Sequence, residues 1–82
     1  DPMSTEQLDP AAVGRALARV RLSKGITQEV LSGLAVIGRS HLSAIERGER
    51  KPTLETIYRI SNALDIPMSK LVEAIEEELA ER

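Results

Sequence analysis

The residues best suited to chemistry lie in one short helical stretch, Arg39-Ser40-His41-Leu42-Ser43-Ala44-Ile45, in which Leu42 and Ile45 share one face and leave the other flank polar. A guanidinium such as that of Arg39 pairs bidentately with O6 and N7 of guanine, a hydroxyl such as that of Ser40 or Ser43 donates or accepts, and the methyl of Ala44 suits a thymine methyl. His41 either joins Ser40 on that face or occupies its exposed edge. The set fits the reading of base edges and is poor material for catalysis. There is no cysteine, hence no disulfide, thiolate nucleophile or thiolate ligand. His41 is the sole imidazole, which argues against a histidine-containing zinc cluster and against a Ser-His-Asp triad. No catalytic residue, metal site or cofactor is expected, and the chain is not read as an enzyme.

Net charge taken whole points the other way, because eleven Lys and Arg against thirteen Asp and Glu give −2. The distribution matters more than the total. Residues 15–51 hold Arg15, Arg19, Arg21, Lys24, Arg39, Arg47, Arg50 and Lys51 against Glu29, Glu46 and Glu49, a balance of +5. Residues 1–14 balance at −3 and residues 52–82 at −4. Such asymmetry suggests an anion-binding centre between acidic ends, although on charge alone ordinary surface scatter reads equally well. No apolar run approaches the roughly 20 residues of a membrane span, and no signal-peptide pattern follows Met3, so a soluble, cytoplasmic protein is expected.

Eighty-two residues fit one small domain. Asp1-Pro2 ahead of Met3 reads as an expression remnant, and residues 1–8 are expected to form a disordered lead-in. Helix signals follow, without strand alternation or an internal repeat, so the class is all-α, a compact five-helix bundle. Asp9 caps a first helix over about 10–24, with Pro10 at its first position and Gly25 as its stop. Thr27 caps a short second helix ending near Leu34, and Gly38 opens a third that ends at Gly48. Thr53 caps a fourth helix with the face Leu54, Ile57, Ile60 and Leu64. Asp65-Ile66-Pro67 breaks it, and Pro67 is placed at the start of a fifth helix striped by Leu71, Ile75 and Leu79, with Val72 alongside.

Two short helices joined by a tight turn, the second bearing small polar and basic residues, form the helix-turn-helix arrangement that places a helix in the DNA major groove. The segments Gly25-Ile26-Thr27-Gln28-Glu29-Val30-Leu31-Ser32, Arg39 to Gly48 and Pro52-Thr53-Leu54 resemble the Xre family of phage Cro and repressor-type DNA-binding domains, over roughly residues 13–72. The chain is also similar to the small controller proteins of restriction-modification systems. The domain is bounded at 9–72. The resemblance implies double-stranded DNA as partner, with Arg39, Ser40, His41, Ser43 and Ala44 at the bases and Thr27, Gln28, Arg47, Arg50 and Lys51 at the phosphates. It also implies an ion pair between Arg21 and Glu46 that ties the first helix to the end of the third.

Two departures stand out. Val36 replaces the usual glycine of the turn and Gly38 the usual Ser or Thr cap, so either the turn takes another conformation or Gly38 absorbs the bend. Val30 and Leu34, one turn apart, replace residues that are usually charged and are either a small contact surface or scattered exposed residues. Residues 67–82 are expected to dimerise through Leu71, Val72, Ile75 and Leu79, giving a stand-alone homodimeric regulator that reads a pseudo-palindromic operator; the alternative is that this helix only folds back on the protomer's own core. The competing readings are an antitoxin that binds both an operator and a toxin, and a protein–protein adaptor that retains the fold.

Overall fold

The computed structural model describes residues 7–81, so most of the expected disordered lead-in, residues 1–6, lies outside the described residues. Among the described residues there are five helices and no strand: α1 (Pro10–Ser23), α2 (Gln28–Ala35), α3 (Arg39–Glu46), α4 (Leu54–Ala63) and α5 (Met68–Ala80). No helix among them is long and apolar enough to cross a membrane.

The starts follow from local chemistry. Asp9 accepts from the Ala11 amide at 3.0 Å, Thr27 from Val30 at 3.1 Å and Thr53 from Thr56 at 3.1 Å, each satisfying an amide that the helix cannot. Leu8, the residue before the first cap, lines one hollow with Val13, as in a hydrophobic staple. Gln7 accepts from Lys51 Nζ at 3.1 Å, so the last two residues of the expected disordered segment have defined contacts. Pro67 is the N-cap of α5, one position earlier than the first helical residue, and its extended ψ of 152° keeps it outside the helix.

The ends are equally regular. At Val36, Gly48 and Asp65 the backbone turns left-handed, with φ of 55°, 78° and 58°. Each time the amide one residue past the left-handed position reaches back to a carbonyl of the last turn: Ile37 to Ser32 at 3.0 Å, Glu49 to Ala44 at 2.9 Å and Ile66 to Ser61 at 3.0 Å. These are three Schellman closures.

Every helix contributes to one aliphatic core, with Leu17, Leu31, Leu42, Ile45, Ile60 and Leu71 fully buried. The stripe expected to dimerise is largely consumed here. Leu71 is 0% and Ile75 7% exposed, because α5 packs antiparallel on α1 and folds its apolar face into the protomer's own core. Leu79 is half-buried against the same core, and Val72, on the neighbouring flank, stays 44% exposed.

Polar clasps run along the α1–α5 seam. Arg15 Nε donates to Glu78 at 3.0 Å, and Arg19 donates to Glu78 at 3.1 Å, to Glu77 at 3.1 Å and to the Ala74 carbonyl at 3.3 Å. The hydrogen bond donated to Glu77, with that donated to Glu78, holds the Arg19 guanidinium above its ordinary pKa against the opposing effect of burial. Two bases of the +5 segment are therefore occupied by the acidic fifth helix.

Where α1 crosses α3 the backbones almost touch. A Cβ on Gly14 would lie 2.4 Å from the Glu46 carbonyl oxygen and 2.5 Å from that of Ile45, distances no real side chain tolerates. Gly14 thus sets how closely the end of α3 rests on α1. Gly14→Ala is expected to destabilise the protein by about 1–3 kcal/mol, the usual cost of overpacking. Gly33→Ala on α2, where a Cβ meets nothing within 4 Å, is expected to stabilise it by about 0.5–1 kcal/mol. Thermal unfolding of the two variants checks this, and equal or reversed shifts overturn the close-approach argument.

Candidate nucleic-acid interface

Glu46, the last residue of α3, organises the site. Its carboxylate accepts from Arg21 Nε at 2.8 Å, Arg21 Nη2 at 2.9 Å and Gln28 Nε2 at 2.8 Å, while Arg21 Nη1 donates to the Ile26 carbonyl at 2.9 Å. The Arg21 and Glu46 side chains are only 11% and 5% exposed. A charge so far from water requires a partner and full hydrogen bonding, and the fork-to-carboxylate geometry supplies both. The hydrogen bonds that Arg21 donates to Glu46 raise its pKa and outweigh the opposing effect of burial. The end of α1, the loop before α2, the first residue of α2 and the end of α3 are thereby joined at one carboxylate.

Gln28 differs from the sequence expectation in orientation. It stands in the first turn of α2, but its amide nitrogen points inward to Glu46. Sequence reasoning assigned it to a phosphate because position in the helix was legible and the partner, 18 residues away, was not.

The outward flank of α3 carries the other residues singled out. Arg39, Ser40, Ser43 and Arg47 line one open hollow, and Ser40, His41, Ala44, Glu49 and Arg50 line its neighbour. Arg39 and Ser40 are exposed, whereas His41, Ser43 and Ala44 are half-buried. Arg39 and Arg50 have no side-chain partner among the described residues. Lys51 extends to Gln7 and Thr27 accepts the capping bond of α2. Arg47 is engaged: Nε and Nη2 donate to the two oxygens of Glu49, each at 3.0 Å, and Nη1 donates to the Ser43 hydroxyl. Glu49 was not singled out from sequence, although a carboxylate two residues after an arginine across a glycine was the available signal.

The turn resolves as a correction. Val36 itself takes the left-handed conformation, at φ 55° and ψ 51°, and Gly38 is an extended N-cap with φ −65°. The bend is thus absorbed by the β-branched residue and not by the glycine. Arg59 Nη1 donates to the Val36 carbonyl at 3.3 Å, tying the turn to α4. Val30 and Leu34 are both exposed on α2.

Comparison with known proteins places this geometry. The family model described as helix-turn-helix matches residues 17–71. The chain belongs to this helix-turn-helix family. Within it, the chain is 38% identical over 65 residues to the uncharacterized HTH-type transcriptional regulator y4dJ of Sinorhizobium fredii, covering 79% of this chain and 84% of that protein. The restriction-modification controller protein C.AhdI of Aeromonas hydrophila superposes with a TM-score of 0.75 at 35% identity, over 79% of this chain and 98% of that one. The controller protein C.Esp1396I, solved as a tetramer with its natural 35 base-pair operator, gives a TM-score of 0.81 at 28% identity, over 92% of this chain and 99% of that one. The chain spans about half the length of several other regulators that it matches.

Within the helix-turn-helix, Val36 is the point of strain. A left-handed conformation costs a residue with a Cβ roughly 1–2 kcal/mol, and Val36, 76% exposed, recovers little by burial. Val36→Gly is expected to raise stability by about 1 kcal/mol, a shift of about 4–8 °C in melting temperature, net of the added freedom of the unfolded chain. A lower melting temperature rejects strain at this position.

Proposed function

We propose that the protein is a sequence-specific regulator that binds a pseudo-palindromic DNA operator as a homodimer, with α3 in the major groove. The observation that carries this reading is the outward face of α3, where the unpaired Arg39 guanidinium stands beside Ser40, while the opposite end of the helix is fixed through Glu46. Arg39 pairs with a guanine, worth about 1–3 kcal/mol of discrimination; Ser40, His41 and Ser43 offer further hydrogen bonds, and Ala44 meets a thymine methyl. Arg50 and Lys51 take phosphates, with Thr27 and Arg47 as further contacts on the backbone, whereas the Gln28 side chain stays committed to Glu46.

Two-fold pairing supplies the second half-site. A pair of reading helices about one DNA turn, roughly 34 Å, apart selects a palindrome. With Leu71 and Ile75 committed to the core, the residues of α5 left for a partner are Val72 and the outer edge of Leu79. The related controller protein solved as a tetramer on its operator supports self-association as the mode of binding.

Binding to duplex DNA is expected to weaken steeply with salt, since each phosphate contact adds about 0.9 to the slope of log K against log salt. Arg39→Ala is expected to flatten preference among sequences, and Arg50→Ala to weaken all sequences alike, as measured by anisotropy on a randomised-duplex panel. A salt-independent affinity rejects the DNA reading, and the reverse pattern of variants rejects the assigned contacts. Val72→Glu, which leaves the core intact, is expected to convert a dimer to a monomer in sedimentation. An unchanged mass removes α5 from the interface.

A further inference from the structure

We propose that Glu49 acts as an intramolecular stand-in for a DNA phosphate, holding Arg47 out of use until duplex DNA displaces it. The inference rests on the DNA-binding reading above and deepens it by naming a residue that sets affinity from within the protein. Three observations lead to it.

The first is geometric. Arg47 presents Nε and Nη2 side-on to both carboxylate oxygens of Glu49, the two-point arrangement in which an arginine fork also grips two phosphate oxygens. Its remaining nitrogen donates to Ser43, so every nitrogen of this guanidinium has an acceptor inside the chain. The second is that the arrangement is built by the backbone. The left-handed turn at Gly48, closed by the bonds from Gly48 to Ile45 at 3.0 Å and from Glu49 to Ala44 at 2.9 Å, folds residue 49 back beside residue 47. The clasp is therefore prearranged by the helix cap. The third is location. Glu49 lies on the rim of the hollow formed with Ser40, His41, Ala44 and Arg50, and it is the only carboxylate among the residues lining the two hollows along α3.

The carboxylate thus sits where a phosphate would approach. The hydrogen bonds favour both charged forms, raising the Arg47 pKa and lowering that of Glu49, so the clasp stays intact at neutral pH. Duplex DNA must either break the clasp or accept a negative charge beside its backbone. Either course weakens phosphate binding, which is the sequence-independent part of affinity. Glu49 accordingly limits retention on arbitrary DNA, while Arg39 and Ser40 remain free to read bases.

The test uses the full chain and a 30-base-pair duplex of arbitrary sequence, with affinity followed by anisotropy from about 50 to 200 mM salt. Wild type, Glu49→Gln, Arg47→Gln and the double variant are compared. Both side chains are more than half exposed, so the substitutions leave the core untouched. Glu49→Gln is expected to bind more tightly and to steepen the salt slope by about one, so that its advantage shrinks about three-fold across that range. Arg47→Gln alone is expected to change little, yet to abolish most of the gain when combined with Glu49→Gln. Salt-dependent wild-type binding with no gain in Glu49→Gln overturns the clasp and leaves the DNA reading standing. A gain that survives in the double variant also overturns it, because the effect is then the loss of a repelling charge and not the release of Arg47. Absence of duplex binding in all four proteins overturns both.

Discussion

The buried carboxylate of Glu46 is the constraint on which the rest of the domain depends. Ionised and nearly out of contact with water, it is tolerable only because three donors converge on it, two from Arg21 and one from Gln28. Each donor fixes a different part of the chain. Arg21 anchors α1 and, through the Ile26 carbonyl, the loop that leads into α2; Gln28 anchors the start of α2; Glu46 itself ends α3. No buried side-chain nitrogen or oxygen among the described residues lacks a partner, so the network is complete. A complete polar network buys geometric uniqueness more than net stability. The orientation of α3 is accordingly not adjustable by itself: tilting it breaks the bonds to α1 and α2 together, and Gly14 leaves no slack between the α1 and α3 backbones.

The same logic sorts the arginines. A formal run of positive charge along the sequence becomes four groups in space. Arg15 and Arg19 face Glu77 and Glu78 and stitch α5 to α1, Arg21 is sunk in the Glu46 network, Arg47 is clasped to Glu49, and Arg39 and Arg50 have no partner among the described residues. The clasps to α5 are largely solvated and of small energetic weight. Their larger effect is on the field: by cancelling charge along the α1–α5 seam, they concentrate the remaining positive charge around α3 and the loop that follows it.

How much of this was legible in the sequence depends on the range of each interaction. The caps at Asp9, Thr27 and Thr53 span two or three residues and were readable directly, as were the glycine stop at Gly48 and the outward flank of α3. The partners of Arg15 and Arg19 lie 63 and as many as 59 residues away, and nothing local announces them. The stripe Leu71, Ile75 and Leu79 announced a covered face but not whether the cover came from the same chain or a second one. Gly14 had a visible signal, a glycine inside a helical run, whose meaning needed the position of α3. Val36 was readable as a residue ill suited to its turn, but which residue absorbed the bend was decided by the hydrogen bonds that close the end of α2.

The two ends of α3 are consequently held by interactions of different character. At the carboxyl end stand a buried ion pair and a backbone approach that admits no side chain. At the amino end stand an exposed, left-handed Val36, a 3.3 Å bond from Arg59 to its carbonyl and a glycine cap with no side chain to bind the first amides. Exposed hydrogen bonds and an unfavourable φ make for low local stability, whereas the buried network opens only when the core does. The helix is therefore held by buried polar bonds at Glu46 and by exposed ones ahead of Arg39. The two ends thus differ in what a substitution reaches: a change at Val36 acts on an exposed turn, whereas a change at Glu46 leaves the buried donors of Arg21 and Gln28 without their acceptor.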